Sequence, residues 1–89
     1  MAISTSSKTV SDMKDTLQKT VKEINMVQDG LRSTMQSASG WSDAQGQEYR
    51  QLMRKIANLT ETPKRTLMGA VPKLERMIQA LEAYERIKF

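Results

Sequence analysis

Few residues in this chain can carry catalysis. Its 89 residues include no cysteine and no histidine, so thiolates, disulfides and the commonest general base and metal ligand are all missing. No carboxylate pair, glycine-rich phosphate loop, or Ser/His or Cys/His set stands out. The expectation is therefore no enzyme, no metal site and no cofactor. What remains is recognition. In the stretch SASGWSDAQGQEYRQLM the sole tryptophan, Trp41, lies between Gly40 and Gly46, with Asp43 two residues on and Tyr49 eight residues on. Tryptophan offers a large rigid surface and one donor, which suits a contact read by another molecule. A second chemistry would be phosphate contact, from Arg50, Arg54, Lys55, Lys64 and Arg65. Glu48 borders that stretch and Glu61 interrupts it, so it reads as a solvated helix face.

The elements that must position these residues are helical. Hydrophobic residues make up 38% of the chain and aromatics only 4%, too few large side chains to fill a sheet sandwich. Ala, Leu, Met, Gln, Glu, Lys and Arg are abundant and favour helix. From about residue 7 to 38, Val10, Leu17, Ile24, Leu31 and Ala38 fall seven apart. Met13 and Val27, alternating with Thr20 and Thr34, are assigned to the second seam position. Such heptads predict a helix packed lengthwise on another, with Ser6 or Ser7 as its N-cap.

From about 43 to 88 a second helix is expected. Tyr49, Leu52, Ile56 and Leu59 form one stripe. Leu67, Ala70, Leu74, Met77, Leu81 and Tyr84 form another, widened by Met68, Val71, Ile78 and Ile87. Pro63 and Pro72 are read as kinks in one continuous helix, with a new helix starting at Pro63 as the alternative. The turn, 39–42, follows from Gly40 as a left-handed C-terminal glycine and from Ser42 to Gln45 as a capping box. Trp41 then sits between two helix ends, with the bare backbone of Gly46 beneath the indole. The expected fold is all-α: one antiparallel two-helix hairpin spanning 1–89.

A hairpin of this length, with a tryptophan in its turn and an aromatic on the second helix, resembles the WXG (Esx, early-secreted-antigen-like) family of type VII secretion substrates and partners. Trp41 matches the family tryptophan and Tyr49 its aromatic. The sequence departs from the family at Asp43, where the family has glycine, so it resembles a divergent member. It departs again in YERIK, which puts Lys88 where the export tag has an acid after its tyrosine. The resemblance implies secretion from a Gram-positive bacterium and recognition of the turn by the type VII secretion ATPase. The missing acid implies pairing with a partner that carries the tag. That partner would be another small helical protein or the helical amino-terminal domain of a larger toxin.

Packing points the same way. The apolar band of the second helix, at Leu52/Met53, Ala70/Val71 and Met77/Ile78, is wider than a two-helix seam needs. A second hairpin would complete a four-helix bundle. Val10, Met13, Leu17, Ile24, Val27, Leu31, Leu52, Ile56, Leu59, Leu67, Val71, Leu74, Ile78 and Leu81 are the candidate pairing residues, and self-pairing into a homodimer uses the same stripe. A leading stretch without an apolar run predicts no cleavable signal peptide, and synthesis in the cytoplasm. No segment approaches ~20 apolar residues, so membrane insertion is not expected. The competing class is a basic helical nucleic-acid binder or a generic coiled-coil adaptor. The formal charge of +4, scattered and without a recognition-helix motif, ranks it second.

Overall fold

The computed structural model describes residues 5–87, which form an all-α antiparallel hairpin. Helix α1 runs Ser7–Ser37 and helix α2 runs Ala44–Ile87. The hairpin is a rod of 70 × 18 × 15 Å. Ser6 is the N-cap of α1, its hydroxyl accepting from the Thr9 amide. Position 88, assigned to the second helix from the sequence, lies outside the described residues.

Helix α2 continues through both Pro63 and Pro72. Each proline removes one backbone bond, to the carbonyls of Leu59 and Met68. Both prolines are exposed, as are Leu59 and Met68, so water can reach that side of the helix where the bonds are missing.

The seam is narrow. In α1 the half-buried line is Val10, Leu17, Ile24, Leu31 and Ala38, as the heptads predict, joined by Lys14, Val21, Gln28 and Met35. The second seam position thus falls four residues after the first, not three. Met13 and Val27 are corrected to flanking positions, 53% and 51% exposed. Both choices offer two apolar and two polar residues, so periodicity alone could not separate them. Gln28 decides it physically, because its amide is bonded across the interface. In α2 the half-buried line is Met53, Ile56, Ala57, Leu67, Ala70, Val71, Leu74, Ile78 and Leu81. Leu52 and Leu59, assigned to the stripe from the sequence, sit outside it at 53% and 67% exposed. Among the described residues only Gly46 is fully buried.

Three polar clasps fix the register. At the open end Glu85 accepts from the Ser7 amide at 3.1 Å and the Ser7 hydroxyl at 2.6 Å. Midway, Gln28 donates to Thr60 Oγ1 and Glu61 Oε2, both at 3.0 Å, and accepts from Lys64 Nζ at 3.1 Å. At the closed end Arg50 reaches back to α1.

Candidate functional site

The turn is built by unwinding one helix and capping the next. Past Ser37 the chain tightens through three-residue bonds, Ser39 N–H to Gln36 O at 3.1 Å and Trp41 N–H to Ala38 O at 3.0 Å. Ala38 is the C-cap, at φ −95°, and no described residue has positive φ. The left-handed glycine expected at Gly40 is therefore absent. A Cβ there would meet nothing within 4 Å, and the short-range bonds already close the helix end.

The capping role also moves by one residue. Asp43, not Ser42, caps α2: its Oδ1 accepts from the Gly46 amide at 2.8 Å and its carbonyl from the Gln47 amide at 3.1 Å. The box read from Ser42 to Gln45 was a spacing match, but Asp43 is the better-placed acceptor and a charge favoured at a helix N-terminus. The Gly46 amide, with a smaller contribution from the Trp41 indole, holds the Asp43 carboxyl below its ordinary value of 3.8.

Gly46 makes the indole's position feasible. A Cβ at residue 46 would lie 2.6 Å from Trp41 Cγ and 2.9 Å from the Trp41 carbonyl carbon, so no side chain fits. Tyr49 stands one turn on, its ring centroid 5.8 Å from that of Trp41 at a tilt of 38°. Trp41 keeps 41% of its surface exposed. Of the five turn residues singled out from the sequence, Trp41, Gly46 and Tyr49 come together, Asp43 lies beneath them as the cap, and Gly40 stands apart.

Arg50 escaped the sequence reading, which placed it on the solvated basic face. Its Nη1 donates to Ala38 O at 3.1 Å and also to Trp41 O. One guanidinium therefore ties the C-cap carbonyl of α1 and a turn carbonyl to the first turns of α2. The available signal was its place one turn after Gly46, facing the end of the helix that precedes it. Arg50→Met should keep the stem packing and lose both bonds. The expected cost is about 1 kcal/mol, read as a lower thermal midpoint, with Trp41 fluorescence shifted toward the solvent-exposed limit.

Three carboxylates stabilise the hairpin in their ionised form. Besides Asp43, hydrogen bonds from Gln28, with Lys64 and Arg65 nearby, lower Glu61, and the Ser7 hydroxyl and amide lower Glu85. Each is depressed in the fold, so its contribution is complete above the ordinary values of 3.8 and 4.5 and is lost as pH falls through the lower folded values. Thermal midpoints should thus be flat near neutrality and decline as pH drops below the ordinary carboxyl range. A midpoint that rises on acidification would contradict the assignment.

The two flanks of the seam differ in chemistry. All three clasps lie on one side. On the other, helical register places Met13, Thr20, Val27 and Thr34 of α1 beside Leu52, Leu59, Met77 and Tyr84 of α2. The two threonine hydroxyls on this side bond backward within α1, to Thr16 O at 3.0 Å and Gly30 O at 2.8 Å. They thus present methyl groups and no unmet donor. The large side chains of this flank are all 44% exposed or more. Among the described residues no group of three or more metal-ligating side chains occurs, and no helix is long and apolar enough to cross a membrane. No family model, curated protein or solved structure matches the chain.

Proposed function

We propose that this chain is a WXG-like helical protein of a type VII secretion system that works by helix–helix pairing. It serves as a secreted substrate or as the targeting partner of a larger secreted effector. The observation that carries the reading is the pairing of two features on one small hairpin. One is a half-exposed tryptophan held in the turn by Gly46, Tyr49 and Arg50. The other is an apolar flank left open along the rod. A lone hairpin with no fully buried apolar side chain among the described residues is thin for independent stability, and a helical partner laid along that flank would supply the missing core. The partner is a second copy, another small helical protein, or the helical amino-terminal domain of a toxin. The turn, remote from most of the flank, is left for the secretion ATPase.

Trp41→Phe tests the division of labour. Phenylalanine keeps an aromatic ring over Gly46 and beside Tyr49 but removes the indole donor and part of the exposed surface. Helicity and pairing should stay near wild type while secretion from the native host is lost. Normal export of the folded variant would reduce Trp41 to a packing residue and remove the main support for the assignment.

A further inference from the structure

The clasped side of the hairpin holds a groove that the pairing reading does not use. It has a volume of about 470 Å³ and lies midway along the rod. Its rim is Arg32, Arg54, Lys64 and Glu61, with Asn58 beside them and Met35 and Ala57 among the lining residues. That volume is within the range that holds small ligands. Three cations face one carboxylate, so the groove carries a surplus of two positive charges. Gln28 and Lys64 keep Glu61 ionised and engaged from one side. Among the described residues, no carboxylate forms an ion pair with Arg54 or Lys64 within 4 Å; the ion pairs present are Lys8–Asp12, Arg32–Asp29 and Arg65–Glu61. Arg32 does contact Asp29, at 3.3 Å, with both side chains about 70% exposed. A pair so exposed is worth little and yields readily to a stronger acceptor.

We propose that this groove binds a phosphate monoester. A tetrahedral dianion matches the surplus charge, and Arg32 and Arg54 offer planar donor forks suited to phosphate oxygens. Lys64 supplies a point charge from the α2 side and Asn58 an amide donor. The half-buried Met35 and Ala57 give the organic part of the ester an apolar surface, which inorganic phosphate cannot use. The groove lies on the side opposite the apolar flank, so ligand and helical partner can be held together.

The test is an amide-resolved magnetic resonance titration of the full chain with inorganic phosphate and with phenyl phosphate, in phosphate-free buffer of low ionic strength. The expected result is saturable shifts confined to the 28–35 and 54–64 segments. Phenyl phosphate should bind more tightly than inorganic phosphate, with a dissociation constant of about 1 mM or lower. Arg54→Gln should weaken binding about tenfold, as loss of one charged hydrogen-bonding partner implies. Asp29→Asn, which frees Arg32, should tighten it. Lys19→Gln removes the same charge some 20 Å along α1, beyond the ~10 Å screening length, and should leave affinity unchanged. Shifts that fail to saturate, spread to remote lysines, or weaken equally in Lys19→Gln and Arg54→Gln would overturn the site. Equal affinity for the two phosphates would overturn the monoester assignment.

Discussion

Gly46→Ala should disrupt the closed end of the hairpin, whereas Gly40→Ala should leave it intact. A methyl at 46 would drive into the Trp41 backbone and the indole at once, and the backbone atoms cannot move aside as a flexible side-chain tip can. Either the turn shifts, breaking the Asp43 cap and the Arg50 bonds, or the indole swings off α2 and loses Tyr49. Overpacking of this kind costs about 1–3 kcal/mol, a large share of what so thin a fold has in reserve. At Gly40 a methyl meets open space and φ is not left-handed, so alanine there should be neutral or mildly stabilising. Because Trp41 is the only tryptophan, its emission reports the turn directly. The glycine-46 variant should show a red-shifted spectrum and a lower midpoint, and the glycine-40 variant neither. A wild-type spectrum and midpoint for Gly46→Ala would mean the indole does not rest where described.

What could be read from the sequence and what could not divide along physical lines. The two helices and their turn follow from heptad spacing and from glycines between two apolar runs, and such local signals survive into the fold. The side of the heptad that faces inward did not follow. Lys14 and Gln28 occupy inward positions that an apolar pattern would leave empty, while Met13 and Val27 are apolar and outward. Gln28 is inward because Thr60, Glu61 and Lys64 satisfy it, and those partners lie more than thirty residues away in sequence. Glu85 closing on Ser7 joins residues still further apart, 78 positions along the chain. At the turn, packing of Trp41 on a bare glycine was legible because only glycine admits that approach. The cap at Asp43 and the absence of a left-handed residue at Gly40 were not, since SASG and SDAQ each fit two local solutions. Asp43 as cap also changes what the family-like glycine would do. Asp43→Gly removes the side-chain acceptor of the Gly46 amide, although glycine is a tolerable N-cap, so the loss should be smaller than for Asp43→Ala.

Substitution in the seam and on the flank should give opposite outcomes. Ile24→Asp puts a carboxylate into the half-buried line between the helices with no cation assigned to meet it. Burial of an unpaired polar group there should cost about 2–3 kcal/mol, and most of the helical circular dichroism signal should be lost at moderate temperature. Leu52→Lys with Leu59→Lys changes two side chains that the single hairpin leaves more than half exposed. Inside one hairpin the lysine stems can lie along the same surface with their charges in water, so the clasps and the turn should persist. Between hairpins the same two charges would be trapped against an apolar partner. If the flank is the pairing face, the wild-type chain sediments as a dimer, or as a complex with its partner. Its thermal midpoint then rises with protein concentration, because association stabilises the folded form by mass action. The double variant should sediment as a monomer, keep helical signal at low temperature, and lose the concentration dependence altogether. Ile24→Asp should lose helix and association together, so it is the double variant that separates association from folding. A wild-type chain that is a stably folded monomer at micromolar concentration, without a partner, would remove self-pairing. A double variant that still associates as tightly as wild type would move the interface away from this flank.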